Sequence, residues 1–319
     1  MIKYAAAAVL LLMAMASPGL ANDSTAELGA GGIELVRNDV VTMLNEDLYL
    51  SPDAVRVDYV FESAAENDRD YLMAFPMPDI SPKFYLEGDV GIPDTTQDNF
   101  LGFTVTADGK AITPKLDSRA ISYGIDVTDD LKTLGIPLFP FAEATQKAVS
   151  ALPPDKARTL QDRGILSSDY EPNTYRPAWT LRSAYYWTQH FPAKAKVAIS
   201  HRYTPAIGGF FLGADTLDGV DAKTYCYDAA FKAAVAKQSK TSNGYMLARS
   251  LAYILVTANN WAENVHDFHL TIDKKTPERL VSTCIEGLKK TGLAQFELRR
   301  TDYAPDADLA ILFIEAMPK

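Results

Sequence analysis

Four histidines, two cysteines and three tryptophans are the residues of this 319-residue chain best able to carry chemistry, and they fall into a few short stretches. Residues 184–205, AYYWTQHFPAKAKVAISHRYTP, hold Tyr185, Trp187, His190, His201 and Tyr203. Residues 259–269, NNWAENVHDFH, hold Trp261, His266, Asp267 and His269. Imidazoles beside carboxylates serve as general bases or metal ligands, and flat rings beside them suit sugars or other ligands. The first stretch reads as a hairpin with residues 192–196 as its loop. Pairing apolar with apolar sets Phe191 against Val197, Gln189 against Ile199, Trp187 against His201 and Tyr185 against Tyr203. That register sends His190 to the opposite side of the sheet. An inward patch of Tyr185, Trp187, His201 and Tyr203 remains, either core or the wall of a pocket.

In the second stretch, positions three apart on a strand point to opposite faces, so His266 and His269 separate while Asp267 and His269 share a side. Two ligands are too few for a closed metal site, and none is assigned. Trp261, Asp267 and His269 are retained as candidate binding residues. The acidic groups Asp215, Asp218 and Asp221, and Asp306 with Asp308, lack the spacing and final glutamate of an EF-hand and read as solvated loops. The chain contains no G-x-S-x-G elbow, no C-x-x-C, no phosphate loop ending in G-K-S/T and no G-x-G-x-x-G. No cofactor is expected, and no catalytic residue is named.

The elements that must position these groups are mostly strands. A leader comes first: Lys3 precedes the apolar run Tyr4–Ala16, and Gly19 and Ala21 supply the small residues needed for cleavage before Asn22. The run covers about thirteen residues, short of the roughly twenty that span a bilayer, so residues 1–21 read as a secretory signal peptide. No spanning segment is expected after its removal, and the location expected is periplasmic or secreted. Cys226 and Cys284, the chain's two cysteines, would then form one disulfide in an oxidising compartment. A formal charge of −10 argues against nucleic acid as a partner.

Val55, Val57, Tyr59 and Phe61 alternate with polar residues as a half-buried strand does. DYLMAFPMPDI is a strand stopped by prolines, and NFLGFTVTADGKAIT is a hairpin turning at Asp108-Gly109. Helical spacing replaces alternation over about 129–170, which predicts two short helices: the first ends before Pro153, and the second is capped by Asp155 and stopped at Gly164. This insertion is either a lid or a packing buttress. Tyr225–Gln238 predicts one amphipathic helix burying Tyr227, Phe231, Ala234 and Val235, and β segments follow to the end. The fold class expected is mainly β, one or two antiparallel β-sandwiches with a short helical insertion and one amphipathic helix. A sandwich domain would cover 22–210, with a second β region, separate or continuous with it, over 211–319.

The ordered motifs NDSTAELGAGGIEL, EDLYLSPDAVRVDYVF, AFPMPDI, NFLGFTV, YYWTQHFP, HRYTP, YCYDAAF and NWAENVHDFHL resemble the bacterial family catalogued as domain of unknown function 4424. That resemblance spans nearly the whole mature chain and brings no activity with it. The front half is also similar to β-sandwich domains of the inter-alpha-trypsin type, from which it departs by its inserted helices; this implies a sandwich and no chemistry. The function expected is that of a non-catalytic extracytoplasmic module that binds a ligand or an envelope protein, with exposed sheet edges open to strand addition. The rival class is a hydrolase acting on an envelope polymer or glycan. A convergent cleft holding His201 or His269 beside two carboxylates would favour the hydrolase, and a flat polar surface or an apolar groove would favour binding.

Overall fold

The computed structural model describes residues 22–29, 32–82, 89–168, 173–219 and 221–317. The leader read at 1–21 lies outside the described residues. The first strands are β1 (Ser24–Gly29), β2 (Gly32–Val36), β3 (Val41–Leu50), β4 (Val55–Ser63) and β5 (Arg69–Pro76). Next come β6 (Asp89–Gly91), β7 (Thr104–Ala107), β8 (Lys110–Ile112), β9 (Lys115–Ser122) and β10 (Ile125–Asp126). Helices α1 (Thr128–Thr133), α2 (Glu143–Ser150) and α3 (Pro154–Asp162) interrupt them. Strands β11 (Leu166–Ser168), β12 (Tyr175–Pro177), β13 (Thr180–Phe191), β14 (Lys196–Tyr203) and β15 (Ile207–Gly213) follow. Helices α4 (Asp221–Thr224) and α5 (Ala229–Ser239) precede β16 (Tyr245–Tyr253) and a 3-10 turn at Val256–Asn260. The chain continues through β17 (Val265–Asp273), β18 (Leu280–Thr283), β19 (Lys289–Lys290), β20 (Gln295–Tyr303) and β21 (Leu309–Ala316).

Mainly antiparallel pairing assembles these strands into an eight-stranded sheet, β19-β20-β17-β3-β4-β14-β7-β8, and a six-stranded sheet, β10-β9-β13-β5-β1-β2. A five-stranded sheet runs β18-β21-β16-β15-β6, and β11 pairs with β12 alone. The three large sheets pack around one apolar core that includes Phe61, Phe75, Phe103, Phe191, Tyr253, Trp261, Phe268 and Phe313. Each such side chain, fully removed from water, contributes about 1.5–3 kcal/mol. In β4 the expected alternation holds: Val55, Val57, Tyr59 and Phe61 are buried while Arg56 faces out. One parallel pair, β3 with β17, places strands from the front and back of the chain side by side in the eight-stranded sheet.

The expected hairpin of residues 184–205 is corrected. β13 pairs with β5 and β9 in the six-stranded sheet, whereas β14 pairs with β4 and β7 in the eight-stranded sheet. The turn after Phe191 is therefore an arch that carries the chain from one layer to the facing one. A period of two fixes which face of a strand is apolar but not its lateral partner, so hairpin and arch share one sequence pattern. Trp187 and His201 meet through the core instead of side by side, with ring centroids 5.4 Å apart.

Among the described residues the insertion contains three helices where two were expected, because Thr128–Thr133 forms a short one after Asp126, whose carboxylate accepts the Thr128 N–H at 2.9 Å. α3 begins at Pro154 and not after an Asp155 cap, since proline's fixed φ suits a first helical residue. Gly164, at φ 70°, ends the segment as expected. The insertion packs as a buttress, with its own cluster of Leu131, Ile136, Val149, Leu160 and Ile165 around Trp179. α5 begins at Ala229, later than expected, because Cys226 lies at φ 52° and Asp228 caps the helix by accepting the Phe231 N–H at 2.6 Å. Phe231 and Val235 are buried on it. Cys226 and Cys284 form a disulfide, with Cα atoms 5.0 Å apart.

Candidate functional site

The sequence-derived patch is placed in the core. Tyr185 stacks on Phe103 at 4.3 Å between centroids, and Trp187 and Tyr203 are buried. His201 has no exposed surface and is ringed by Phe75 at 4.9 Å, Phe103 at 5.1 Å, Trp187 at 5.4 Å and Tyr59 at 5.6 Å. Its Nε2 meets the carboxylate of Asp23 at 3.0 Å. Burial raises the Asp23 carboxyl above the ordinary aspartate range, against the pull of His201. His190, on the other side of β13, is exposed and bonds Asp70 at 2.7 Å. Asp70, reinforced by Asp68, raises that imidazole.

Beside the Asp23–His201 pair lies a second buried polar group. Glu46 accepts from the Asn22 amide at 3.2 and 3.3 Å and from the Tyr253 hydroxyl at 3.4 Å. The Tyr59 hydroxyl donates to Asn22 Oδ1 and lies 3.2 Å from that of Tyr253. Burial pushes Glu46 up to about 8 and both tyrosines well above their ordinary value. Trp261, another sequence candidate, donates from its indole to the Asp23 carbonyl at 3.0 Å and is itself fully buried. Asn22, Asp23, Glu46 and His201 in this group have no exposed surface.

Glu46 and Asp23 were missed in the sequence, although one signal pointed to Glu46. Val41 and Met43 alternate in one phase and Leu48 and Leu50 in the other, so a β-bulge must lie between them. The register does shift between Met43 and Asn45, and this turns Glu46 inward. Asp23 stands 178 positions from its histidine, and no local spacing announces such a contact.

Asp267 and His269 fall in the same half-buried phase of β17, alternating with buried Phe268 and Leu270. His269 Nδ1 meets Asp47 at 3.2 Å across the β3–β17 ladder, and its Nε2 lies 3.4 Å from Glu297 on β20. His266 bonds Glu263 at 2.8 Å. Among the described residues no group of three or more histidine, cysteine or acidic side chains is arranged to hold a metal ion.

A cavity of about 270 Å³ opens where the three large sheets meet. Met77, Pro78 and Ile80, from the turn after β5, form one wall with Leu101, and Tyr203 and Pro205 at the end of β14 form another. Ser250 and Leu251 of β16 line a third side, next to Tyr225, with exposed Ala252 at its rim. The Tyr225 and Ser250 side chains hydrogen-bond each other, and burial raises the Tyr225 phenol. Gly208 on the paired strand leaves room for the Ser250 hydroxyl, which a Cβ at that position would strike. Asp79 lines the cavity and is bridged to Arg182 at 3.0 Å. The result is an apolar chamber with a few hydrogen-bonding groups at its edge. Of the sequence candidates, only Tyr203 reaches it.

No curated protein matches the chain in sequence. Among solved structures it is similar to a protein of Legionella pneumophila subsp. pneumophila str. Philadelphia 1, provisionally named a nutrient binding protein. The identity there is 14% and the TM-score 0.47, over 92% of this chain and 70% of that one. It is also similar to an M1 zinc metallopeptidase from Deinococcus radiodurans at 8% identity and a TM-score of 0.27, over 87% of this chain but only 43% of that one. At these scores neither likeness transfers a site or an activity. The sequence model described as "Domain of unknown function (DUF4424)" matches residues 21–312, and the chain belongs to that family.

Proposed function

We propose that this is a non-catalytic extracytoplasmic protein that binds a small, largely apolar ligand in the cavity at the junction of its three sheets. The cavity is the observation that carries this reading. Its volume of about 270 Å³ falls just under the roughly 300–1,000 Å³ of drug-sized ligand sites, which sets an upper limit on the occupant. Apolar walls supply affinity, and the Tyr225, Ser250 and Asp79 side chains at the edge supply orientation. The leader-like residues 1–21 and the Cys226–Cys284 disulfide support an oxidising, extracytoplasmic compartment. The hydrolase alternative draws no support from His201, whose imidazole and carboxylate partner are both fully buried. His269, beside Asp47 and Glu297, lies outside the cavity wall.

Ala252 stands exposed on the cavity's rim, so a larger side chain there obstructs the opening without disturbing the core. Titration with the neutral aromatic fluorophore 1-aminoanthracene is expected to give saturable binding that Ala252→Trp weakens at least tenfold. Equal binding by both proteins would remove the cavity from the account.

A further inference from the structure

Asn22, Asp23 and Ser24 have no exposed surface, although they begin the described part of the chain. Six hydrogen bonds, one of them between the two, hold the first two of these residues. The Asn22 amide donates to both oxygens of Glu46 on β3, at 3.3 and 3.2 Å. Asn22 Oδ1 accepts from Tyr59 on β4 and from the Asp23 N–H at 2.8 Å. Asp23 binds His201 on β14 and, through its carbonyl, Trp261.

The charge inventory of this enclosure is unbalanced. Two carboxylates, Asp23 and Glu46, are fully buried, and the His201 imidazole beside Asp23 is the one group among their bonded partners that can carry positive charge. Glu46 is bonded to neutral donors, Asn22 and Tyr253. Asp23 Oδ2 is buried with no hydrogen-bond partner among the described residues. Buried charges are costly unless paired. The sequence places a cleavage bond immediately before Asn22, and cleavage there would put a cation on the Asn22 nitrogen. A chain continuing upstream would instead add peptide N–H and C=O groups at a buried position, each needing a partner.

We propose that Asn22 is the mature amino terminus and that its α-ammonium is the resident counter-ion of Glu46 and Asp23, so that removal of residues 1–21 completes the core. The inference rests on the extracytoplasmic reading above. The chemistry is peptide hydrolysis by a signal peptidase: water adds across the Ala21–Asn22 bond, leaving a carboxylate on Ala21 and an amine on Asn22. That amine holds the proton released by the new carboxyl group, so atoms and charge balance. The leader thus acts as more than an address, because while it is attached Glu46 is bonded to neutral donors alone among the described residues.

Three measurements test this apart from ligand binding. The full-length chain, expressed with its leader in a bacterial host, is expected to yield exported protein whose first residue is Asn22; a retained leader or another first residue overturns the proposal. A mature chain beginning at Asn22 is expected to have an unfolding constant at least tenfold smaller than the same chain preceded by Gly-Ser, and equal constants overturn it. In the native mature chain the α-amine is expected to react with an acetylating ester at least a hundredfold more slowly than in urea. Reaction at the unfolded rate overturns the proposal and needs no variant to fold. A cavity that binds nothing leaves these outcomes untouched, whereas failure of export overturns the reading on which the proposal rests.

Discussion

Replacing His201 with phenylalanine removes the side-chain partner that can place a positive charge beside Asp23, a carboxylate that has no exposed surface. The ring fits its surroundings, since four aromatic neighbours stand with centroids 4.9 to 5.6 Å from the imidazole. The loss is therefore electrostatic more than steric. Breaking a buried pair by removing one partner costs about 3–5 kcal/mol, a large share of the roughly 5–15 kcal/mol that holds a domain together. Asp23→Leu combined with His201→Phe should recover most of the loss, because an apolar replacement of both partners leaves no stranded charge. Acid should also help the single variant. Asp23 is raised by burial, so the folded state holds its proton to higher pH than the unfolded chain does, and stability grows as pH falls toward the unfolded value near 3.9. Urea unfolding followed by tryptophan fluorescence measures all three proteins at pH 7 and pH 5. A His201→Phe protein within 1 kcal/mol of the parent at pH 7, or a double variant no better than the single one, would refute the reasoning.

Glu46 gives a second pH signature. With residues ahead of Asn22 its carboxyl titrates near 8, against an ordinary 4.5. The folded state then binds the extra proton between those values, and stability falls by on the order of a few kcal/mol as pH rises through that window. Glu46→Gln should flatten the profile in denaturant titrations from pH 4.5 to 8.5, and an unchanged slope would count against a buried carboxyl. The Cys226–Cys284 bridge closes a separation of 58 residues, so its loss in a Cys226→Ala, Cys284→Ala protein should cost about 4 kcal/mol on chain-entropy grounds. Calorimetry showing no change would mean that the unfolded state is already constrained there. Asp228→Ala, which removes the cap of α5, should cost about 1 kcal/mol in the same assay.

Much of the fold was legible because local patterns determine local structure. Val55 to Phe61 announced a strand, Gly164 a helix stop, and the chain's two cysteines a bridge. The facing of His201 inward and His190 outward also follows from the pleat alone. What stayed hidden depends on lateral choice and distance. Nothing in AYYWTQHFPAKAKVAISHRYTP says that β13 and β14 belong to different sheets, since either arrangement buries the same face. The parallel pairing of β3 with β17 joins strands more than 200 positions apart, beyond any local signal. Glu46 could have been found from the phase change between Met43 and Leu48. The Asn22–Asp23 segment reads locally as the exit from a leader, and only the packed sheets show it to be core. The cavity was invisible for a related reason: Met77, Tyr203, Tyr225 and Ser250 come from four separate stretches of chain, each with ordinary apolar spacing.

The central claim, that the three-sheet junction is a ligand chamber, is tested most directly by structure determination of the mature protein with 1-aminoanthracene and, in parallel, of Ala252→Trp. The account predicts the fluorophore between Met77, Tyr203 and Leu251 in the parent protein and nowhere in the variant. Density for it elsewhere, or equal occupancy with the opening blocked, would contradict the claim.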